Sequence, residues 1–576
     1  MSLRHLSALL VTSGFAAGVL QVLLIRELLL TCFGNEIALG LMLSAWLLAG
    51  ALGAALVGRR AAADAAGDLR AVLTTAALLL PASFVAIVFA RVYPVLACAV
   101  PMKLAQVFAQ NARLERRFTV YLAAQPGEML GPFHRVLVSC GTALLPALLA
   151  GMLFTLSLRL YQSAVRSQAG ASGRAYALDS VGHLLGGVLL GWVAVTVLSP
   201  FLVVSVACAL LYACVVCLAQ SARAVRTGWL VALGLVLAAG LGLAFPLQPW
   251  SSTLRWQNRE IVDQVSSLYG HVAVARQGKE GVVFYENGTP TGLSPALPRV
   301  QEFVQFAMLQ HLAPRRVLLI GGGATGGLQE VLKHRPEAVD YSELDPALLR
   351  FAAKWVQGAD RKALGDPHVR ILTQDGRRVV KQAAAGLRPR YDVILLMLPD
   401  PSTAMLNRFY TREWFGEAKS ALNPGGVLAW EMSSTRHYFG RSLLMMNTAI
   451  LEATKPAFPR KAFMTGDDTL AVAVGDEESA LNDGYRVLAR RLNQRHVRAP
   501  GFLSVARDRL DPYNKRYVLE ELRKAPPSPP VNGDFEPVGY FYDQAMWIGL
   551  YYPDLEALYL RLSDLRPAKL YLPGGV

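Results

Sequence analysis

The feature that most constrains the fold is a glycine-rich turn that interrupts an apolar run. Residues 317–334 read Val-Leu-Leu-Ile-Gly-Gly-Gly-Ala-Thr-Gly-Gly-Leu-Gln-Glu-Val-Leu-Lys-His. Gly321, Gly322 and Gly323 follow the apolar residues directly, and a helical pattern begins after the glycines. This order of strand, tight turn and helix is typical of a nucleotide site in a doubly wound α/β sheet. Glycines permit close backbone approach, and the start of a helix offers free N–H groups to polar ligand atoms.

Three further strand patterns follow the turn, and each ends in polar residues. Glu343 ends the first, Asp375 and Gly376 follow the second, and the third is an apolar run that enters a Pro-Asp-Pro loop at 399–401. Strands that alternate with helices predict a parallel sheet whose site lies at the carboxyl ends of its strands. Because a carboxylate at the second strand end usually holds ribose hydroxyls, Glu343 is a candidate ligand of a nucleoside.

This series of motifs resembles the spermidine/spermine synthases, which are aminopropyltransferases with a methyltransferase-like fold. The resemblance covers about residues 260–475, and the whole set of motifs carries it. The motifs are Ser267-Leu-Tyr-Gly270, Tyr285-Glu-Asn-Gly288, the Gly321–Gly327 loop, Glu343, Asp375-Gly376, Pro399-Asp-Pro401 and Leu422-Asn-Pro-Gly-Gly-Val427. The complete chain is similar to the membrane-fused branch of that family, in which a hydrophobic helical region precedes the synthase domain.

The resemblance implies a cofactor and a set of contacts. The cofactor would be S-adenosylmethionine or its decarboxylated form. Glu343 would bind the ribose hydroxyls, Asp375 with Gly376 the adenine, and Gly321–Gly323 the tail of the donor. No spacing of ligand-type residues indicates a metal site.

The sequence departs from the family pattern where the acceptor amine is bound and deprotonated. Ala324 stands where the family has an aspartate that helps to hold the donor, and Met397 stands where it has the aspartate that helps to deprotonate the amine. Two nearby acids remain, Asp400 and Glu302, and they are the candidate catalytic residues. A thioether cannot accept the proton that an attacking amine must lose. We therefore expect ordinary spermidine synthesis to be absent or very weak.

Three functions remain open. The first is group transfer from an S-adenosyl-type donor to a small amine or lipid acceptor. The second is methyl transfer from S-adenosylmethionine, which the altered Gly-Ala-Thr-Gly sequence of the loop suggests. The third is a catalytically inactive membrane scaffold or assembly subunit with membrane protein partners. Nucleic acid is not an expected partner, because the basic excess, 16 Lys and Arg against 7 Asp and Glu in residues 1–250, lies mostly in short loops between apolar runs.

The first 250 residues are predicted to form a helical membrane domain. The chain is 53% hydrophobic and has a mean hydropathy of +0.33. Residues 92–109 are either an eighth crossing or part of an interfacial helix that leads to the basic stretch 111–117. We therefore expect a multi-pass protein of the inner cell membrane, embedded in the lipid bilayer by seven or eight spans. The seven apolar runs long enough to cross a bilayer lie near residues 7–32, 36–58, 71–95, 136–158, 177–198, 200–219 and 228–246.

The number of spans decides the side on which the C-terminal half lies. With seven spans, the arginine-bearing loops 59–70, 159–174 and 223–226 share a side with the N-terminus, and the positive-inside rule places that side in the cytoplasm. The C-terminal half would then lie outside. With eight spans it would be cytoplasmic, where adenosyl donors are available. We place the C-terminal half in the cytoplasm because the cofactor is available there, although the charge of the loops favours seven spans and the outer side.

We divide the sequence into four parts: a transmembrane helical bundle over 1–250, a small β-subdomain over 251–312, a synthase-like α/β domain over 313–480, and a helical and aromatic extension over 481–576. In the first part, the ionisable groups Arg26-Glu27 and Asp179/His183 are interpreted as buried structural pairs or interfacial groups, with the binding of a polar substrate as the alternative. In the last part, residues 531–542 resemble the tail of membrane-fused relatives and are interpreted as a packed tail that crosses back to the membrane, with a substrate lid as the alternative.

Overall fold

The structure is a computed structural model, and it describes residues 2–59, 64–107, 130–165, 170–190, 198–222, 227–256, 259–278, 281–436, 438–526 and 529–561. The chain separates into two compact units. The helical unit comprises Met1–His271 with Asn287–Thr289, and the α/β unit comprises Val272–Glu286 with Pro290–Val576.

The helical unit is built from long apolar helices. Among the described residues, all of these helices except Ala171–Leu189 are long and apolar enough to cross a bilayer, and Ala65–Val107 is so by its segment Ala65–Pro101. A helix satisfies its backbone hydrogen bonds internally, as a segment in hydrocarbon must. The six helices are therefore compatible with a multi-pass membrane protein. The helices are α1 Leu3–Thr31, α2 Ile37–Gly58, α3 Ala65–Val107, α4 Pro132–Ala164, α5 Ala171–Leu189, α6 Pro200–Ala222 and α7 Thr227–Arg255.

Six of the seven predicted crossings fall on these six helices. The predicted crossing at 177–198 falls partly on α5 and partly on residues 191–197, which lie outside the described part of the chain. Residues 92–107 are not a separate helix, because they continue α3 without a break. The basic stretch 111–117 and the loop 223–226, used above to argue topology, also lie outside the described residues. The side of the membrane stays a prediction.

Helices α1 and α5 approach each other closely at glycines. A Cβ on Gly14 would lie 2.1 Å from the carbonyl oxygen of Asp179, and a Cβ on Gly182 would lie 2.1 Å from that of Val11. Within α5, the Asp179 carboxylate pairs with Nδ1 of His183 at 3.3 Å. Small residues permit this close backbone contact, which is a common way for apolar helices to associate. The pair predicted at Asp179 and His183 therefore lies at the contact between two helices.

A second ionic group joins three helices of the same unit. Glu27 of α1 accepts two hydrogen bonds from Arg91 of α3, at 2.9 Å from Nε and 2.8 Å from Nη2. It also pairs with Arg255 at the end of α7. Arg91 donates further to Gln248 Oε1 of α7 at 2.9 Å. Glu27 is thus buried in an ionic group, as predicted, but its partners are arginines of other helices. Its neighbour Arg26 donates instead to the carbonyl oxygen of Ser267.

The α/β unit contains a seven-stranded sheet in the order β10-β11-β9-β8-β5-β6-β7. Strands β5 to β9 are parallel, and β11 lies between β9 and β10, antiparallel to both. This is the predicted doubly wound sheet of the methyltransferase-like class. The chain leaves β5 toward β6 and returns to β8 on its other side, so the ends of β5 and β8 form the topological switch point. The strands are β5 Arg316–Ile320, β6 Ala338–Ser342, β7 Val369–Leu372, β8 Tyr391–Leu396, β9 Leu422–Ser433, β10 Arg460–Thr465 and β11 Thr469–Gly475.

Both faces of this sheet are buried against helices. Consecutive strand residues point to opposite faces, so neighbouring residues of one strand belong to different hydrophobic clusters. Leu318 and Ile394 lie in one hydrophobic cluster with residues of the helices Gly376–Ala384, Arg412–Ala421 and Arg441–Thr454. Leu319 and Leu395 lie in the other, with residues of α8, α9 and α17. The helices are α8 Pro298–Met308, α9 Gly327–Leu332, α10 Pro346–Trp355, α11 Gly358–Leu364, α12 Gly376–Ala384, α13 Ala404–Asn407, α14 Arg412–Ala421, α15 Arg441–Thr454, α16 Tyr485–Gln494, α17 Pro500–Arg509, α18 Pro512–Arg523, α19 Val538–Tyr551 and α20 Pro553–Arg561.

Short strands precede the large sheet: β1 Ile261–Ser266, β2 His271–Gln277, β3 Gly281–Glu286 and β4 Thr289–Ser294. Strand β2 pairs antiparallel with β3. Asn287 and Gly288 both have positive φ, 49° and 84°, as a two-residue hairpin turn requires. The Asn-Gly pair of the Tyr285–Gly288 motif therefore forms the turn between β3 and β4.

The C-terminal extension packs onto the α/β unit. The side-chain amide of Asn532 donates to the carbonyl oxygen of Tyr410 at 2.9 Å. The buried Arg377 is held between Glu417 and Asp534, with bonds of 2.7 to 2.8 Å. These contacts fix the tail against the segment that follows the Pro399–Pro401 loop. They favour the interpretation of residues 531–542 as a packed tail.

Candidate active site

The glycine turn lies at the switch point and bends sharply away from β5. Gly321 and Gly322 have φ of 71° and 64°, a region that side chains with a Cβ rarely adopt. The N–H of Gly321 donates to the carbonyl oxygen of Ser342 at 3.1 Å, which ties the turn to the end of β6. The turn does not enter an α-helix directly. A 3₁₀ turn at Gly323–Thr325 intervenes, and the helix after it has only six residues.

Glu343 follows β6 and lies next to this turn. Its carboxylate accepts from the Tyr341 hydroxyl at 3.1 Å and from the backbone N–H of Asp345 at 3.3 Å. Burial raises the pKa of Glu343, and the hydrogen bonds that it accepts oppose that rise. The structure thus holds a carboxylate at the position that sequence reasoning assigned to ribose binding.

A second acid, which the sequence analysis did not single out, lies close to Glu343. Glu286 ends β3, and burial, together with the charges of Glu343 and Asp345, raises its pKa to about 7. The carboxyl groups of Glu343 and Asp345 therefore lie close enough for their charges to act on Glu286. The only available signal in the sequence was that Glu286 belongs to the Tyr285–Gly288 motif.

Asp375 lies at the next strand end but is already engaged. It caps α12 by accepting from the N–H of Arg378 at 3.1 Å, and it forms an ion pair with Arg408. The predicted contact with an adenine amino group would therefore use the remaining lone pairs of the carboxylate, which offers about four acceptor positions. Gly376 allows α12 to start against β5, since a Cβ there would lie 2.5 Å from Cγ2 of Ile320.

Met397 lies at the end of β8 and faces the glycine turn. Its N–H donates to the carbonyl oxygen of Ile320 at 2.9 Å, which keeps it in register with β5. A Cβ on Gly322 would lie 2.8 Å from Cβ of Met397, and one on Gly327 would lie 3.0 Å from its sulfur. A thioether thus occupies the place beside the glycine turn where the family resemblance expects a carboxylate.

The candidate catalytic acids Asp400 and Glu302 are both already bound. Both oxygens of Asp400 accept from the backbone N–H of Ser433, at 3.1 and 3.2 Å. Glu302 is buried in α8 and pairs with Arg509 of α17. Burial is the largest influence on each group, and it raises both pKa values.

A third acid on this side, Glu431, was missed by sequence reasoning. It lies near the end of β9, and Nε of Arg299 is 3.5 Å from its Oε2. Burial raises the pKa of Glu431 to about 7, while the charge of Arg299 acts in the opposite direction. The available signal was a lone acid within the apolar strand residues 427–432. Its position beside β8 depends on the strand order, which the sequence does not state.

The structure therefore groups the strand-end residues into two sets. The glycine turn, Glu343, Glu286 and Asp375 lie around the ends of β5, β6 and β7, whereas Asp400, Glu302 and Glu431 lie around β8 and β9. Within the described part of the chain, no group of three or more His, Cys, Asp or Glu residues is arranged to hold a metal ion. The fold and these strand ends define a methyltransferase-like α/β domain with a candidate site at its switch point.

Comparison with known proteins gives a narrower class. Residues 299–445 match the spermine/spermidine synthase domain. A polyamine aminopropyltransferase from Aeropyrum pernix is 30% identical over 212 residues, which are 34% of this chain and 66% of that protein. Polyamine aminopropyltransferase 1 from Streptomyces coelicolor is 29% identical over 314 residues, 51% of this chain and 57% of that protein. The chain thus spans roughly half to two thirds of the length of these relatives.

The spermidine synthase from Thermotoga maritima is a similar solved structure, with 20% identity and a TM-score of 0.37, covering 46% of this chain and 88% of that chain. Together, the synthase domain, the aminopropyltransferase relatives and the six apolar helices fit a membrane-fused, spermidine-synthase-like protein.

Proposed function

We propose that the α/β unit binds decarboxylated S-adenosylmethionine and transfers its aminopropyl group to an amine. The division of the site into two sets of residues supports this proposal. The glycine turn with Glu343 and Asp375 suits the nucleoside of the donor. The acids of β8 and β9 suit a cationic acceptor, because nearby carboxylates stabilise the charged form of an amine.

The acceptor is not a plain diamine. Met397 removes the carboxylate that would deprotonate the acceptor amine, and Asp400 and Glu302 are occupied by Ser433 and Arg509. General-base help contributes about 10²–10⁴-fold to such reactions. A diamine placed against Met397 would lose that help, so we expect little or no turnover with putrescine.

Methyl transfer from S-adenosylmethionine is the second candidate function. Ala324 is the observation that favours it, because an aspartate in the glycine turn would repel the carboxylate that this donor carries on its tail. Alanine removes that repulsion, so either donor can approach the turn.

We place the domain at the inner cell membrane, anchored in the lipid bilayer, on the cytoplasmic side. Adenosyl donors are made in the cytoplasm, and that supply is the reason for the placement. Membrane protein partners belong to the alternative in which the domain serves as a scaffold, whereas a lipid amine is the alternative acceptor to a small amine in the group transfer.

Isothermal titration calorimetry on the detergent-solubilised full chain tests donor binding. We expect both adenosyl donors and methylthioadenosine to bind, and Glu343→Ala to weaken binding about 10- to 100-fold, because a charge-assisted hydrogen bond to ribose is lost. Glu337→Ala is the matched control, since Glu337 is exposed and pairs only loosely with Arg315, at 3.5 Å. Equal affinities in wild type and Glu343→Ala would contradict the assignment of Glu343.

A turnover assay separates the functions. Release of methylthioadenosine from decarboxylated S-adenosylmethionine indicates aminopropyl transfer, and release of S-adenosylhomocysteine from S-adenosylmethionine indicates methyl transfer. Rapid turnover with putrescine would contradict the altered acceptor. Donor binding without turnover on any amine would leave the scaffold function.

A further inference from the structure

We infer that Glu431 is the base that deprotonates the acceptor amine, in place of the carboxylate missing at Met397. The inference rests on the proposed amine transfer. It is carried by the register of β8 and β9, by the contacts of the three acids near them, and by the chemistry of the transfer.

The register places Glu431 beside Met397. Leu396 of β8 pairs with Trp430 of β9, so the next residue on each strand continues the same register. Val393 and Leu395 lie in the same hydrophobic cluster as Val427 and Ala429. Because strand residues alternate between faces, Met397 and Glu431 both project to that face, one strand spacing of about 4.8 Å apart.

Contacts on that face distinguish Glu431 from the other acids. Both Asp400 oxygens accept from the Ser433 N–H, and Glu302 is paired with Arg509, whose side chain is only 19% exposed. The partner of Glu431 is Arg299, 3.5 Å away with a side chain 47% exposed. That distance is at the limit of a hydrogen bond, so this pair is the weakest of the three. Glu431 therefore has lone pairs free to accept a proton once Arg299 turns outward.

Its surroundings also suit proton transfer near neutral pH. The charged groups that face Glu431 are Arg299 and Glu302 of α8 and Arg509 of α17, and its charge is also felt by the buried Tyr410. Burial outweighs the two arginines, and the pKa of Glu431 is about 7. A base with a pKa near the working pH combines a high ionised fraction with sufficient proton affinity.

The step balances as follows. The acceptor ammonium gives one proton to the Glu431 carboxylate and becomes a free amine. The amine lone pair forms a bond to the methylene carbon attached to the sulfonium sulfur of the donor. The carbon–sulfur bond breaks, its electron pair stays on sulfur, and the products are methylthioadenosine and a substituted ammonium. Protonated Glu431 then loses its proton to water.

The test compares Glu431→Gln with wild type in methylthioadenosine release from decarboxylated S-adenosylmethionine. The acceptor probe is a mixture of n-butylamine, putrescine and spermidine. We expect kcat to fall about 10²- to 10⁴-fold, with donor affinity in calorimetry unchanged. Glu520→Gln is the control, because Glu520 is 58% exposed on α18. In wild type, kcat/KM should rise with pH through about pH 7 as the Glu431 carboxyl group ionises, and Glu431→Gln should lack that rise.

The double variant Met397→Asp/Glu431→Gln places a carboxylate at the end of β8, next to the position that Glu431 occupies on β9. We expect it to recover at least about tenfold of the lost rate, which a variant that had merely unfolded would not do. If Glu431→Gln turned over within threefold of wild type, or if Asp400→Asn lost turnover while Glu431→Gln kept it, the inference would be overturned. Amine transfer as the proposed function would remain intact. A wild-type protein that binds the donor but transfers to no amine would overturn the proposed function, and this inference with it.

Discussion

At the scale of single residues, the candidate site differs from the synthase pattern that the chain resembles. Neutral side chains replace carboxylates beside the glycine turn, and carboxylates are crowded elsewhere. Met397 puts a thioether against the glycine turn, and Ala324 is a buried methyl group within it. Glu286, in contrast, lies close enough to Glu343 for that carboxylate, together with burial, to raise its pKa. Carboxyl groups are therefore crowded around the ends of β3 and β6.

We expect Glu286→Gln to stabilise the protein at alkaline pH. The pKa of Glu286 is about 7 in the folded chain, above the usual value near 4.5. The folded and unfolded states are both protonated below about pH 4.5, so this group has no effect there. Between these pKa values the unfolded state loses its proton first, and stability falls until about pH 7. Gln cannot ionise, so the variant should gain about 3 kcal/mol at pH 8 and nothing at pH 4.

Thermal unfolding of the detergent-solubilised protein at both pH values measures this effect. Glu337→Gln serves as the control, because Glu337 is 62% exposed. A Glu286→Gln gain of the same size at pH 4 and pH 8 would show that the effect comes from packing rather than ionisation.

Residue positions that adjoin a strand end could be predicted from the sequence. Gly321–Gly323 follow an apolar run directly, and Glu343 and Asp375 stand at the polar ends of strand patterns, so a local pattern sufficed. Glu431 could not be found in this way, because its relation to Met397 arises from strand order. The engagement of Asp375 by Arg408 and of Glu302 by Arg509 was equally hidden, since the partners are 33 and 207 residues apart in the chain.

At the scale of elements, the helical unit is held by both close packing and charge. Glu27 joins α1, α3 and α7 through Arg91 and Arg255, and the side chains of all three residues are at most 11% exposed. A buried ion pair contributes little relative to apolar packing, but removing one partner leaves an uncompensated charge. Glu27 is opposed here by two guanidinium groups, so its loss would leave both without their carboxylate.

We therefore expect Glu27→Gln to destabilise the helical unit by about 3–5 kcal/mol. The comparison is Asp179→Asn, which keeps a hydrogen-bonding side chain beside His183, a residue with a side chain 35% exposed, so the cost should stay below about 1 kcal/mol. The apparent Tm of each purified variant in detergent gives the order. An Asp179→Asn loss as large as that of Glu27→Gln would contradict the role given to the three-helix ionic group.

Element types were predictable where periodicity was strong, and element ends were not. The alternation of strands and helices after residue 313 gave the doubly wound sheet, since apolar runs between polar turns leave few alternatives. Helix α3 is longer than the predicted crossing at 71–95, because it continues through Pro94 and Pro101 to Val107. The partners of the tail at 531–542, such as Tyr410, are set by tertiary contact, which no local pattern in the sequence indicates.

At the scale of the whole molecule, an apolar helical unit and an α/β unit share one chain. The first carries six helices that suit a bilayer within the described residues, and the second carries the candidate site. The sequence predicted this division from composition alone, because apolar runs of bilayer length end near residue 250. It could not settle the side of the membrane, since span number and loop charge point in opposite directions.

We expect the protein to remain in the membrane fraction after washing with alkaline carbonate or high salt, and to be released only by detergent. Apolar surface on six helices would otherwise be exposed to water. Immunoblotting of pellet and supernatant measures the outcome, with a peripheral membrane protein as the control that washes off. Recovery of this chain in the carbonate supernatant would show that the helices do not span a bilayer.

The glycine contacts between α1 and α5 limit how such a chain can change in length. Gly14 and Gly18 both meet the backbone of α5, at Asp179 and His183. One inserted residue between the two glycines would rotate the rest of α1 by about 100° and shift it by about 1.5 Å. A bulkier side chain would then face a backbone that leaves no room for it. Insertions and deletions should therefore be tolerated in the loops between these helices and selected against within them.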